Sequence, residues 1–333
     1  AHRGRPNDLR ILETLCCCQI DFRFLDNNPS RALARARALI DYWFAERTND
    51  TRAIAALARW QLACDQAEAA VETCADLSET TESPLLLYQL GLAYRETGQH
   101  QRAVDAFSRA SQLKPDASIG GQSMVAIFAA RAASLFAMGQ TELAQRDLTQ
   151  ALQASTPQTW TFFDWYSVVA AQRALGNSQQ GLLWCQRFIE TVPQCGQSWY
   201  LHGAMLIDLG RQHEAQTDFI KAIQLNASDH KPYAALLRTY LSSGDIANAL
   251  NWADRWTSVA AESNDPYRWR GLFHYLAKNY EAALRDLNTA VRLEPQDTRA
   301  LYHRARTHLA LKLYQDAAQD FDQSLQLNPS DTE

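Results

Sequence analysis

The sequence lacks any apolar run of about 18 residues, the length that a membrane-spanning helix requires. It also lacks an excess of basic side chains, because 32 lysines and arginines stand against 37 acidic residues and the net charge is -5. A protein without a basic surface has no general attraction for nucleic acid. The sequence therefore predicts that neither a membrane nor a nucleic acid is the partner.

Cysteine patterns that bind metal or carry redox chemistry are missing too. None of the seven cysteines shows the CxxC spacing of zinc or thioredoxin-like sites. The adjacent Cys16, Cys17 and Cys18 would point about 100° apart on a helix and so could not converge on one metal. We interpret the cysteines as buried small thiols, which favour a reducing, cytoplasmic compartment.

Catalytic motifs are also absent from the sequence. There is no glycine-rich phosphate loop, no HExxH and no GxSxG. His303 and His308 are five residues apart, so they would not share a metal on one helix face. Asp320 and Asp322 would stand about 200° apart on a helix and would not act together. We therefore predict a chain that is not an enzyme and needs no metal or cofactor.

What the sequence does contain is an internal repeat. YEAALRDLNTAVRLEP at 280–295 is followed 34 residues later by YQDAAQDFDQSLQLNP at 314–329. Pro193 precedes Pro295 by 102 residues, which is three periods of 34, and Gly176, Gly210 and Gly244 are spaced by the same period. A fixed period of this length indicates stacked supersecondary units that share one core.

Seven such units are predicted, each with two short amphipathic helices around a turn. They begin at about Pro84, Val125, Phe162, Gly196, His230, Asn264 and Thr298, with insertions at 118–124 and 159–161. We number the places in each unit from its first residue. The side chain at place 20 is small in every unit, the one at place 8 is mostly small and the one at place 24 is mostly bulky. This alternation favours close packing of the two helices in each unit. The residues at place 20 are Ala103, Ala144, Gly181, Ala215, Ala249, Ala283 and Ala317.

The 34-residue period, the segment WYLHGAMLIDLGRQHEAQTDFIKAIQLN at 199–226 and the proline that closes the units resemble the tetratricopeptide repeat. The resemblance covers residues 84–331. It implies an all-α fold, a right-handed superhelical solenoid of antiparallel helix pairs. On this basis residues 1–83 are degenerate helical hairpins, 84–161 are two units with short insertions, and 162–331 are five contiguous units.

The resemblance also implies that the first helix of each pair lines a concave wall with its places 2, 5, 6, 9, 12 and 13. In two neighbouring units these places are apolar, which a solvent-facing helix should not be. We expect this apolar wall to be covered by the N-terminal hairpins of the chain, by an apolar segment of a partner or by a second copy. The residues of the apolar wall are Ala126, Ala129, Ala130, Ala133, Phe136, Phe163 and Tyr166.

Further along the chain, the same places become aromatic and basic, with only Asp208 and Asp265 as opposing acids. This predicts a groove for an extended acidic peptide with aromatic or aliphatic anchors. Two alternatives stay open: the charges are paired with neighbouring side chains, or the rings stack on a carbohydrate chain. The groove residues are Arg173, Tyr200, Lys231, Arg238, Arg268, Trp269, Tyr275, Arg299, Tyr302, His303 and Arg306.

The function that follows from the resemblance is a non-catalytic scaffold that binds a partner protein or peptide. One alternative is a docking or regulatory domain of a larger glycosyltransferase, sulfotransferase, kinase or protease. Another is a periplasmic scaffold in bacterial polysaccharide export. The last unit ends at QLNPSDTE without a polar capping helix, so we expect further chain or a partner to cover it.

Overall fold

The structure, a computed structural model, describes residues 29–46, 50–78, 83–113, 123–155, 157 and 160–328. Within these ranges the side chains of residues 29–32, 46, 76–78, 162 and 163 are left out of the description. The described residues form seventeen helices and no strand, so the predicted all-α helical repeat is confirmed.

The helices follow one another with short connections. They are α1 (Pro29–Glu46), α2 (Thr51–Ala63), α3 (Ala67–Ser78), α4 (Pro84–Glu96), α5 (His100–Gln112), α6 (Met124–Ala137), α7 (Thr141–Ala154), α8 (Phe162–Ala174), α9 (Ser178–Thr191), α10 (Gly196–Asp208), α11 (Gln212–Leu225), α12 (His230–Ser243), α13 (Ile246–Val259), α14 (Asn264–Leu276), α15 (Tyr280–Leu293), α16 (Thr298–Ala310) and α17 (Tyr314–Leu327).

The chain divides into two compact units, residues 1–218 and 219–333, which we call the first unit and the second unit to distinguish them from the seven sequence repeats. In the first unit each helix from α1 to α9 packs on the next, and α4, α6, α8 and α10 also pack in order as a row of first helices. In the second unit the pairs α12 with α13, α14 with α15 and α16 with α17 stack, and the first helices α14 and α16 contact each other. From α8 onward, the first helices begin every 34 residues.

The turn between the two helices of a pair needs a left-handed residue. Gly244 ends α12 with a φ of 71°, and the same place 15 of the next two units holds Lys278 and Lys312, with φ of 61° and 63°. Left-handed backbone costs an L-residue roughly 1–2 kcal/mol because its Cβ crowds the following carbonyl oxygen. The two lysines are therefore strained where glycine would not be.

Replacing Lys278 by glycine is expected to raise the free energy of unfolding by about 0.5–1 kcal/mol, since relief of strain exceeds the added entropy of the unfolded chain. The matched control is Lys221→Gly inside α11, where glycine should cost about 1 kcal/mol. Urea denaturation followed by circular dichroism measures both variants. A loss of stability in Lys278→Gly would contradict the assignment of strain.

The predicted contact between place 8 and place 24 is present in the core. At Gly271 an added Cβ would lie 2.7 Å from the Cγ of Leu287 on the paired helix, closer than real contacts allow. Gly91 faces Phe107 in the same way in the repeat that begins at Pro84. Small residues at place 8 therefore exist because the bulky side chain from place 24 occupies their space.

A second regularity, which the sequence analysis missed, is a buried ion pair between place 7 and place 23. Arg270 Nε and Nη2 donate to Asp286 Oδ2 and Oδ1 at 2.7 and 2.6 Å. Two further repeats have an equivalent ion pair and a third has a hydrogen bond between a histidine and an aspartate at the same places, and their acidic partners are also buried. These pairs are Arg131 with Asp147, His202 with Asp218 and Arg304 with Asp320. In the other three sequence repeats, places 7 and 23 are occupied by Leu90 and Ala106, by Val168 and Trp184, and by Leu236 and Trp252.

The arginines of these pairs also reach the second helix of the preceding unit. Arg270 Nη1 donates to Asp254 Oδ1 at 2.9 Å, and Arg304 Nη1 donates to Asn288 at 3.2 Å. Arg131 makes the corresponding bond to Ser108 at 3.1 Å. Each guanidinium thus joins three helices through a planar fork that a lysine could not reproduce.

Candidate functional site

The apolar wall is covered by the chain itself. Ala126, Ala129 and Ala130 on α6 are buried. Ala126 and Ala130 belong to one core cluster with Tyr88 of α4, while Ala129 packs with Trp165 of α8. Of the three expected covers, the structure thus shows one that belongs to the chain itself. The helices that pack on the apolar wall, however, are those of the neighbouring repeats and not the N-terminal hairpins.

The remaining members of the apolar wall are only partly buried. Ala133, Phe136 and Tyr166 are half-buried, and the latter two pack against the same core as Trp165. The Phe163 side chain lies outside the described residues. The apolar wall is therefore mainly an interior surface between stacked helices of the first unit.

Alanine is needed on α6 because side chains from the two flanking helices meet across it. Ser167 on α8 lies close enough to Tyr88 on α4 to lower the pKa of the tyrosine, although burial is the larger influence and raises that pKa. Bulkier residues on α6 would hold α4 and α8 apart. The run of alanines is thus explained by packing within the first unit.

Two predicted groove residues lie in the first unit, and neither is a free recognition group. Arg173 on α8 donates from Nε and Nη2 to the carboxylate of Asp208 on α10, at 2.8 and 3.2 Å. Tyr200 is half-buried and packs against the core of the unit. Arg173 therefore joins two first helices, as the alternative of paired charges predicts.

In the second unit, Arg268 is also a structural residue. Its side chain is only 11% exposed and lies between Asp265 on its own helix and Asp297 of the following repeat. The Nε of Arg268 is 3.0 Å from Asp297 Oδ2. Asp297 is the N-cap of α16 and accepts from the backbone amides of Arg299 and Ala300. Arg268 therefore holds the N-terminus of the next first helix rather than an open groove.

Trp269 is removed from the exposed surface as well. It is 8% exposed, and its ring stacks on Phe273 with a centroid distance of 6.0 Å. A ligand could not stack on it without unpacking α14.

Arg306 has the geometry of a recognition residue. Its guanidinium carbon lies 5.0 Å from the ring centre of Tyr275 on α14 and 5.6 Å from that of Tyr302 on α16. Tyr302 is itself held by an edge contact to Phe321 at 5.9 Å. Two cation–π contacts restrict the arginine side chain without using its N–H donors.

The other cations of this surface are exposed. Within the described part of the chain, no carboxylate lies at ion-pair distance from Arg306 or from the other three, and we call these four side chains the cation row. The cation row consists of Lys231, Arg238, Arg299 and Arg306.

Exposed leucines lie on the first helices α12, α14 and α16, and α12 and α16 also carry the cation row. They occupy places 12 and 13, one helical turn beyond the place-9 residues Arg238 and Arg306. We call them the leucine row: Leu241, Leu276 and Leu309, which are 37%, 39% and 45% exposed.

His303 lies among the cations of α16. Burial, followed by the charges of Arg268, Arg306 and Arg299, lowers the pKa of His303 to about 4. The imidazole is therefore neutral at neutral pH. Its ring makes an edge contact with Tyr302 at 5.6 Å.

No arrangement suited to metal chemistry occurs in the described ranges, where no three His, Cys, Asp or Glu side chains could hold a metal ion. Cys74, Cys185 and Cys195 are buried, and Cys64 is partly buried. Burial raises the pKa of Cys74 to about 12, so its thiolate is not available as a nucleophile. The triplet Cys16, Cys17 and Cys18 lies outside the described residues. Across the described chain, every helix is too short or too polar to cross a bilayer.

Stacked helix pairs define this chain as an all-α helical-repeat protein. Two tetratricopeptide-repeat family models match residues 84–117 and 196–229. A third family model, described as anaphase-promoting complex, cyclosome, subunit 3, matches residues 242–323. The chain is a tetratricopeptide-repeat protein, as its resemblance predicted.

Solved structures with the same fold are only distantly similar in sequence. Human IFIT1, solved as a dimer with PPP-AAAA, is 14% identical with a TM-score of 0.52, and the alignment covers 91% of this chain and 80% of that one. The C-terminal part of a TPR repeat-containing protein from Cytophaga hutchinsonii is 13% identical with a TM-score of 0.50, covering 74% of this chain and 96% of that one. At these identities the likeness extends to the fold alone. No curated protein matches the sequence.

Proposed function

We propose that this chain is a non-catalytic scaffold and that the second unit binds an acidic segment of a partner protein along the cation row. The observation that carries the proposal is Arg306, which is held between Tyr275 and Tyr302 with its donors unused by any described carboxylate. An arginine that is already restricted loses little further entropy when it binds a carboxylate bidentately.

The leucine row supports an apolar component in the partner. Leu309 follows Arg306 by three residues and Leu241 follows Arg238 by three, so each cation and leucine share a helix face. A segment with acidic and aliphatic residues side by side complements both rows. The apolar contacts would supply affinity, and the charges would supply orientation and rapid association.

The test uses a labelled synthetic peptide of alternating acidic residues and leucines, with binding followed by fluorescence anisotropy at low salt. Arg306→Gln is expected to weaken binding about tenfold, the loss of one charge-assisted bidentate contact. Added salt should weaken wild-type binding because three of the four cations in the row, Lys231, Arg238 and Arg299, are exposed.

The matched control is Arg285→Gln, which removes an exposed positive charge from the second helix α15. It should leave peptide binding within about twofold, since only diffuse charge is lost. Equal weakening by both variants would contradict a site at Arg306. Tighter binding of a single-stranded RNA than of the peptide would contradict a protein partner.

A further inference from the structure

We propose that the acidic group taken by α16 is a phosphate on a side chain of the partner, held by Arg299, His303 and Arg306. This inference rests on the proposed function and identifies the chemical class that the site prefers. The three residues follow one another at i, i+4 and i+7, which places them on one face of the helix.

All three side chains have donors to spare. Within the described residues, neither guanidinium is paired with a carboxylate, and the imidazole of His303 makes no hydrogen bond, only ring contact with Tyr302. The guanidinium of Arg306 alone could donate hydrogen bonds to both oxygens of a carboxylate. A phosphate adds a third acceptor oxygen and a second negative charge, which matches an additional guanidinium and an imidazole.

The charges around His303 favour a dianion. The groups that face it are Arg299 and Arg306 on its own helix and Arg268 on the adjacent first helix. The nearby carboxylates, Asp265 and Asp297, are engaged with Arg268. Arg299 and Arg306 therefore contribute two positive charges that no described carboxylate balances, and a phosphomonoester carries about -1.5 to -2 near neutral pH.

The sign of the pH dependence follows from the same geometry. In the free protein, burial and the cations keep His303 neutral, with a pKa of about 4. A bound dianion reverses the local field and raises that pKa, so binding takes up a proton. By linkage, affinity increases as the pH falls toward the raised pKa of the bound His303, and we expect this rise between about pH 7.5 and 6.5, before most of the phosphate is protonated near pH 6.

The experiment compares three otherwise identical acidic and leucine-containing peptides that carry serine, glutamate or phosphoserine at one central position. For the wild-type chain, the phosphoserine peptide is expected to bind about tenfold more tightly than the glutamate peptide at about pH 6.5, and less tightly at about pH 7.5 than at 6.5. Arg299→Gln and His303→Gln should each reduce the phosphoserine preference to about threefold or less, and His303→Gln should remove its rise at lower pH. Arg285→Gln should keep the wild-type preference.

The outcomes separate the two proposals. If phosphoserine and glutamate bind equally and Arg306→Gln weakens both, the scaffold function stands and the phosphate preference is wrong. A preference that survives both Arg299→Gln and His303→Gln also overturns the phosphate site on α16. If none of the three acidic peptides binds, or if added salt leaves their binding unchanged, the acidic-partner function is wrong as well.

Discussion

Asp286→Asn is expected to lower the free energy of unfolding by about 3 kcal/mol, the cost of leaving one member of a buried ion pair without its partner. Asp286 is only 10% exposed and accepts two hydrogen bonds from Arg270. Asparagine has nearly the same shape, so the change removes charge and one acceptor rather than volume. The remaining guanidinium would stay half-buried against a neutral group and would keep only its exposed partner, Asp254.

Asp254 provides the matched control, because it pairs with the same guanidinium but is 64% exposed. Asp254→Asn should cost at most about 1 kcal/mol, as is usual for an exposed ion pair. The double variant Arg270→Leu with Asp286→Ala reproduces the residues found at Leu90 and Ala106. It should recover much of the stability lost in Asp286→Asn, since buried ion pairs can be replaced by packed apolar residues at little cost.

Guanidinium chloride denaturation of the whole chain, followed by circular dichroism, measures this series. An equal loss in Asp254→Asn and Asp286→Asn would show that burial does not govern the strength of these pairs. Because stacked repeats couple mainly to their neighbours, the transition of the second unit should shift most.

Arg268→Gln is expected to lower the free energy of unfolding by about 2–3 kcal/mol, whereas Arg306→Gln should cost less than about 1 kcal/mol. Arg268 is buried between two carboxylates, one of which caps α16. Without the arginine, Asp265 and Asp297 would be left facing each other without a counter-ion. Arg306 contacts two rings and no described carboxylate.

Thermal and denaturant unfolding of the two single variants measures this difference, with Arg285→Gln as the exposed control. Equal effects of Arg268→Gln and Arg306→Gln would contradict the separate structural and recognition roles. A double variant would confuse lost binding with lost structure. For that reason, of these two variants, only Arg306→Gln is suited to binding experiments.

The site was harder to predict from sequence than the helices. Family places put Arg268, Trp269 and Arg306 on one wall, yet the first pairs across repeats, the second is buried and only the third keeps free donors. Likewise, the alanine run on α6 suggested a surface awaiting a cover, and the structure shows adjacent helices packed on it. The pair of Arg270 with Asp286 was visible as a spacing of 16 residues, which the other three units with a place-7 to place-23 pair share.

The sequence by itself determined the all-α class, the 34-residue period and the small residues that allow close helix contact, because these depend on local helical periodicity and on side-chain volume. Only the tertiary structure decided which charges are available. Asp208 pairs with Arg173 and Asp297 with Arg268 from neighbouring repeats, and such contacts depend on how the helices stack. Whether an arginine stabilises the fold or stays free for a partner is therefore decided by packing between repeats. The sequence of a single repeat does not contain that information.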